Sequence, residues 1–233
     1  MASSTLLLHS RDRVHGDSSN FHLRFQGHLP PGTYDILYAQ AAAAIYQIHT
    51  GVNDRFSIRL DGGNPTTVLL PEGFYDVGTL CTALNDILPT AVTAAFDPLT
   101  ARIQLTTSGT SISVVPDTAM AVTGFTLAVS GQTVVADSVP DLSIPGALLV
   151  ELSPNISHGV ISPCTGAFAA FLIPVREANL DLCEFRSHAD FPQSITVSAP
   201  VHELQVRLRA SDHTPVVMQA GAEIWFLLRR KRG

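Results

Sequence analysis

Apolar and polar residues alternate with a period of two along much of the chain. The pattern is clearest at Phe21-His22-Leu23-Arg24-Phe25, Phe56-Ser57-Ile58-Arg59-Leu60, Ile103-Gln104-Leu105 and Leu204-Gln205-Val206-Arg207-Leu208-Arg209. Successive side chains of a strand point to opposite faces, so this alternation predicts strands with one buried face. Between these runs lie Pro30-Pro31-Gly32, Asp61-Gly62-Gly63-Asn64-Pro65, Asp97-Pro98, Ser108-Gly109 and Ser130-Gly131. Such residues preset or tolerate turn conformations. Many short strands separated by frequent turns predict an all-β sandwich or barrel.

One segment departs from the alternation. Val77, Leu80, Cys81, Leu84, Ile87 and Leu88 recur at helical spacing, Asp76 is placed to cap the N-terminus, and Pro89 stops the run. The spacing predicts one short amphipathic helix over about residues 76–88. Ala39 to Ala44 has helix-forming composition, but Ile45-Tyr46-Gln47-Ile48 follows with strand character, and the stretch is read as strand and loop. No internal repeat is visible. A Ser-rich connection near residues 137–145, interrupted by Val139-Pro140 and Ile144-Pro145, is read as a long loop within one domain, with a subdomain boundary there as the alternative. The expected organisation is an N-terminal arm over residues 1–20, a single domain over 21–228 and a basic tail over 229–233.

With 233 residues the chain is long enough to bury a core without cross-links. Only 15% of residues are charged against 45% hydrophobic, which is sparse for a protein surface and suits surface destined for partners as well as a densely packed domain. The formal net charge of −6 excludes a general attraction of the whole protein to nucleic acid or anionic lipid. Lys231 is the only lysine, so the positive charge is almost all arginine. Three cysteines, Cys81, Cys164 and Cys183, stand at wide, unpatterned spacing, which argues against a disulfide framework or a zinc site and for reduced core residues. Met1 to Leu8 lacks a positively charged start before its apolar run, so cytoplasmic synthesis without secretion is expected. The Asn155-Ile156-Ser157 sequon is accordingly read as incidental.

Catalytic signatures are missing from the sequence. It contains no Gly-x-Ser-x-Gly elbow, phosphate-binding loop, His-Glu-x-x-His or Cys-x-x-Cys, and the expectation is a protein that is not an enzyme, with no cofactor and no small-molecule substrate. The densest polar cluster is Arg11-Asp12-Arg13-Val14-His15-Gly16-Asp17-Ser18-Ser19-Asn20. His15 with Asp12 and Asp17 has the donor types of a metal site. Two arginines beside them would repel a cation, so an ordered arm carrying Arg11, Asp12 and Arg13 as assembly contacts is expected instead. At the other end, Glu223 to Leu228 reads as a buried final strand, followed at once by Arg229-Arg230-Lys231-Arg232. Those cations are candidates for contact with nucleic-acid phosphates or the interior of an assembly, and a solubilising tail is the plainer reading.

Several of these patterns, taken in order, resemble the penton-type minor capsid proteins of the double-jelly-roll DNA virus lineage, which includes virophages, Polinton-type elements and large DNA viruses of protists and algae. The resemblance starts at Ser10-Arg11-Asp12-Arg13 and Ser18-Ser19-Asn20-Phe21 and runs through Leu29-Pro30-Pro31-Gly32-Thr33-Tyr34. It is strongest at Leu70-Pro71-Glu72-Gly73-Phe74-Tyr75 with the following helix and Asn85. It continues at Phe96-Asp97-Pro98-Leu99-Thr100, Arg102 to Thr106, Val122-Thr123-Gly124-Phe125 and the closing Leu204 to Leu208 and Glu223 to Leu228. Ala39 to Ala44 departs from the more polar stretch of the family, and the chain looks too short for a large receptor-binding insertion.

The resemblance implies a single jelly-roll sandwich in the virion that forms fivefold vertices of an icosahedral capsid as a homopentamer. Its implied partners are neighbouring major and minor capsid proteins, a vertex fibre, and the genome through the basic tail; it supplies no catalytic or metal-binding residues. Two alternatives stand beside it. One is another minor capsid or spike-base protein of the same lineage. The other is a carbohydrate-binding jelly roll, against which stands a single tryptophan, Trp225, in a strand that reads as buried.

Overall fold

In the computed structural model the structure describes residues 5–157, 160–161, 168–175, 182–188, 193–210 and 214–231. The contacts divide these into two compact units, residues 1–45 with 145–233 and residues 46–144. The sequence reading placed residues 21–228 in one domain. Period-two strands occur in both units, so the alternation carries no mark of the division; the Pro-containing 137–145 stretch runs up to its second limit.

The first unit opens with β1 (Thr5–His9), a 3-10 turn (Ser10–Asp12), β2 (Arg13–Gly16), β3 (Asn20–Leu29) and β4 (Gly32–Ala42). The second unit contains β5 (Arg55–Leu60), β6 (Thr66–Leu69), α1 (Val77–Ile87), β7 (Val92–Asp97), β8 (Arg102–Thr107), β9 (Ile112–Val115), α2 (Met120–Thr123), β10 (Val129–Gly131) and β11 (Thr133–Val135). The chain then re-enters the first unit with β12 (Ala147–Ser153), β13 (Ile156–Ser157), β14 (Val160–Ile161), β15 (Phe168–Ala169), β16 (Phe171–Pro174), β17 (Leu182–Arg186), β18 (Ser194–Val197), β19 (Val201–Ala210) and β20 (Ile224–Arg230). No helix among the described residues is long and apolar enough to cross a membrane.

The pairings of the first unit are nested. β1 runs antiparallel to β20, β3 to β19, β4 to β17 and β18, and β12 to β16. Pairing of β20 with β4 and of β19 with β12 joins these into two sheets, ordered β1-β20-β4-β18-β13 and β16-β12-β19-β3-β2. First with last, inner with inner, and successive connections passing between two sheets: this is the strand order of a jelly roll. The alternation read from the sequence supplies its core. Phe21 and Leu23 of β3, Leu204, Val206 and Leu208 of β19, and Ile224, Phe226 and Leu228 of β20 are buried. Phe171 of one sheet meets Phe226 of the other edge to face at 5.6 Å and Phe185 at 6.0 Å, aromatic contacts that fix the sheets against each other.

The second unit has its own core. Its sheets, β10-β9-β5-β6 and β11-β8-β7, bury Phe56, Ile58, Ile103, Leu105, Ile112 and Val114 together with Leu80 and Leu84 of α1. The helix forms where its spacing predicts. Asp76 accepts from the Thr79 amide at 2.7 Å and Thr79 accepts in return from the Asp76 amide at 2.9 Å, a reciprocal cap. Asn85 ties α1 to β7, its side chain both donating to the Ala94 carbonyl and accepting from the Ala94 amide. The short α2 was not anticipated. It ends on Gly124 at φ 78°, where a Cβ would strike the Ser138 carbonyl, so only glycine fits. Cys81 is buried on α1 and Cys183 in β17, while Cys164 lies outside the described residues.

Candidate functional site

Residues 5–16, assigned from sequence to an arm, are placed as edge strands. β1 pairs with β20 over its full length, from Thr5 opposite Arg229 to His9 opposite Trp225. The 3-10 turn then carries the chain to the other sheet, where β2 pairs with β3. One continuous segment therefore supplies an edge of each sheet. Its joint is fastened by Ser10, fully buried, whose hydroxyl accepts from the Ile224 amide at 3.0 Å. Arg11 pairs with Glu223, and His9 lies 3.7 Å from the same carboxylate. Arg13 donates to the Ser10 carbonyl at 3.2 Å, and Asp12 is exposed. On the two edges Leu7 is 55% and Val14 48% exposed.

The basic strand end is partly committed within the unit. Asp35, only 7% exposed, stands opposite Ser194 of β18 and Arg229 of β20. It accepts from the Ser194 hydroxyl at 2.7 Å, with Lys231 at 3.1 Å and Arg229 at 3.7 Å. Burial pushes the carboxyl up, but the Ser194 hydrogen bond and the two cations outweigh it and hold Asp35 below the usual carboxylate range. Arg230 donates to the Pro31 carbonyl at 2.8 Å across the β3–β4 turn. Arg229 and Lys231 nonetheless keep 49% and 44% of their side chains in solvent. Arg232 lies outside the described residues.

The sequence cluster around His15 resolves differently from the trio considered there. Asp17 turns inward on its own loop, accepting from the Ser19 amide and hydroxyl and the Asn20 amide. His15 instead faces His22 across β2 and β3, and the two imidazoles stack at 4.0 Å. Glu203 of β19, opposite Arg24 and diagonal to His22, completes the group. Its Oε1 lies 3.0 Å from His22 Nδ1 and 3.7 Å from His15 Nε2, and Oε2 accepts from Arg24 at 3.0 Å. The Arg24 hydrogen bond holds the Glu203 carboxyl below its ordinary range, with His22 adding to it. Only the β3–β19 register brings Glu203 here, and local sequence spacing contains no trace of that.

On the outer face of the other sheet, Trp225 is half-buried rather than buried as the sequence suggested. β20 sends Ile224, Phe226 and Leu228 inward, which turns Trp225 outward beside Tyr38 at 4.8 Å. The Tyr38 hydroxyl donates to Glu184, and the Arg186 guanidinium lies over the Tyr38 ring at 5.7 Å. Burial, followed by the Glu184 contact, raises the Tyr38 hydroxyl above its ordinary range.

No protein-family model matches the chain. No curated protein matches it either. Among solved structures it is similar to the crystal structure of the SeMet-labeled mavirus penton protein, with 11% identity over 98% of this chain and 99% of that chain and a TM-score of 0.47.

Proposed function

We propose that this protein is a structural capsid protein that forms fivefold vertices of an icosahedral virion as a homopentamer. The observation that carries the proposal is the pair of exposed edges supplied by residues 5–16 on a jelly roll. Unpaired edge strands invite pairing with another chain, and here Leu7 and Val14 add apolar surface to both edges at once. A ring of identical copies, each presenting this side to a different side of the next, closes such edges. The ordered sequence motifs supply the fivefold choice. In this reading the protein is not an enzyme and takes no small-molecule substrate. Arg11, Asp12 and Arg13 sit at the joint of the contact segment. Major and minor capsid proteins surround the ring, and Arg229, Arg230, Lys231 and Arg232 face the genome or the inner shell.

Reconstruction of intact particles tests the proposal: five copies around each vertex are expected, and a monomer or trimer, or a location between other capsomers, would overturn it. In solution, replacing Leu7 and Val14 together by lysine places charge on both edges. The double variant is expected to stay folded and elute as a monomer where the unaltered protein forms rings.

A second reading, glycan binding, is favoured by the outward Tyr38 and Trp225 pair with the Glu184 carboxylate beside it, since aromatic faces with a flanking acceptor suit sugar rings. Glycan-array binding abolished by Trp225→Ala would support it; an array without signal rejects it.

A further inference from the structure

We infer that His15, His22 and Glu203 form a surface site for a divalent first-row transition-metal ion, of which zinc is the expected occupant. Two imidazoles and one carboxylate are the donor set that zinc, copper, nickel and cobalt prefer over calcium or magnesium. The candidate ligand atoms all lie within 4.8 Å of one another. Bond lengths of about 2.0–2.2 Å to nitrogen and oxygen put neighbouring donors of a tetrahedral ion about 3.4 Å apart. The two contacts to Glu203 Oε1, at 3.0 and 3.7 Å, bracket that spacing. The donor spacing is thus near that of a site before any ion enters; the rings stack with planes 26° apart, so their in-plane lone pairs do not yet converge, and His15, 54% exposed, has to rotate out of the stack to bring Nε2 onto the ion.

Two features deepen the fit. Arg24 engages only Oε2, so Oε1 keeps lone pairs for an ion, and a hydrogen bond to the second oxygen orients a ligating carboxylate in the usual manner of outer-shell partners. The stacked imidazoles stand on adjacent strands and the carboxylate on the next, so a bound ion would link β2 to β3 and β19. β2 needs such a link more than its neighbours do. It is a short edge strand, exposed along its length, whose pairing with β3 shifts register between Arg13 and His15. A fourth coordination position faces solvent and takes water or a donor from a neighbouring molecule. The inference stands independently of the vertex proposal, because it concerns one isolated chain.

The test is calorimetric titration of the full, untagged chain with zinc chloride, with cobalt chloride absorbance reporting the coordination geometry. Saturable binding of a single ion and a rise in the thermal midpoint with zinc are expected. His15→Ala, His22→Ala and Glu203→Gln should each weaken binding by at least roughly tenfold, while His28→Ala, in the other histidine pair with His202, leaves it unchanged. Metal-free unfolding midpoints of the variants identify any that fail to fold, and His15→Ala carries the decision because it removes an exposed side chain and leaves no cavity. Absence of saturable zinc binding at millimolar concentration overturns the inference. So does binding that survives in the His15→Ala, His22→Ala double variant.

Discussion

Replacing Asp35 by asparagine keeps the shape of the side chain and removes its charge. The asparagine oxygen still accepts from the Ser194 hydroxyl, so the loss falls on Lys231 at 3.1 Å and Arg229 at 3.7 Å. A hydrogen bond to a charged group contributes about 1.5–3 kcal/mol when sheltered, and an exposed ion pair about 0.2–1 kcal/mol. Asp35 is buried but both cations are nearly half exposed, so a loss of about 1–2 kcal/mol at neutral pH is expected. Because the folded-state carboxyl sits below its unfolded value of about 3.9, the native protein binds fewer protons than the unfolded chain in the interval between them. The stabilisation is therefore complete above that interval and is lost as pH falls through the folded-state value. Urea unfolding of both proteins from neutral pH into acid should show a gap that closes at low pH. The same substitution releases cations for polyanions, so the dependence of log affinity on log salt should steepen by about one for each cation freed. A gap that persists unchanged in strong acid, or equal stability at neutral pH, would refute the assignment of the energy to the carboxylate charge.

Other substitutions probe the two cores and the helix. Phe226→Ala, at a fully buried position against Phe171, should cost about 3–5 kcal/mol in urea unfolding. Asp76→Ala removes one half of the α1 cap and should lower the urea midpoint; because the Thr79 amide and hydroxyl hold the Asp76 carboxyl below its usual range, that difference is largest at neutral pH and narrows in acid, where the neutral carboxyl accepts more weakly. Gly124→Ala should lose about 1–3 kcal/mol, since alanine is strained at this backbone conformation and meets the Ser138 carbonyl. Residues 46–144 expressed alone should give a cooperative urea transition, because their buried cluster is drawn entirely from within those limits.

What the sequence made legible was local. α1 appeared because six apolar residues at helical spacing, a capping aspartate and a stopping proline all lie within a few turns, and the structure adds only the reciprocal Thr79 bond. The long strands β3 and β19 appeared because each alternates over its length, and β20 because a short apolar run stands directly before the basic residues. β1 was hidden because Leu6, Leu7 and Leu8 run together, so periodicity could not show that Leu8 turns inward and Leu7 outward. Trp225 was misplaced for the same reason, within an unbroken apolar run whose alternation only the pairing with β4 reveals. The division into units left no signal in the alternation, because strands of both obey the same period; only the Pro-interrupted 137–145 stretch, with a subdomain boundary as its alternative reading, touched one of the limits. His15 was visible as a candidate, but its true companions come from β3 and from β19, and the attraction of Asp12 and Asp17 was an accident of proximity along the chain.

The same nested pairing explains why the edges carry the proposed function. A closed barrel would leave no strand unpaired, whereas each sheet of the jelly roll keeps two edges, and here one short segment supplies one edge of each, opposite β13 and β16. Two properties keep these edges from open-ended pairing. β1 spans only Thr5–His9, and β2 only Arg13–Gly16 with a register shift and charged or imidazole side chains, so neither offers a long flat ladder to an arbitrary strand. Contact has to come from a surface matching both edges at their fixed spacing, which the Ser10 hydroxyl and the Arg11–Glu223 pair set. In the proposed ring that surface belongs to the next copy, whereas a stray edge strand can cover only one of the two edges at a time, so the features that guard the edges against aggregation are the ones the proposed contact would have to satisfy.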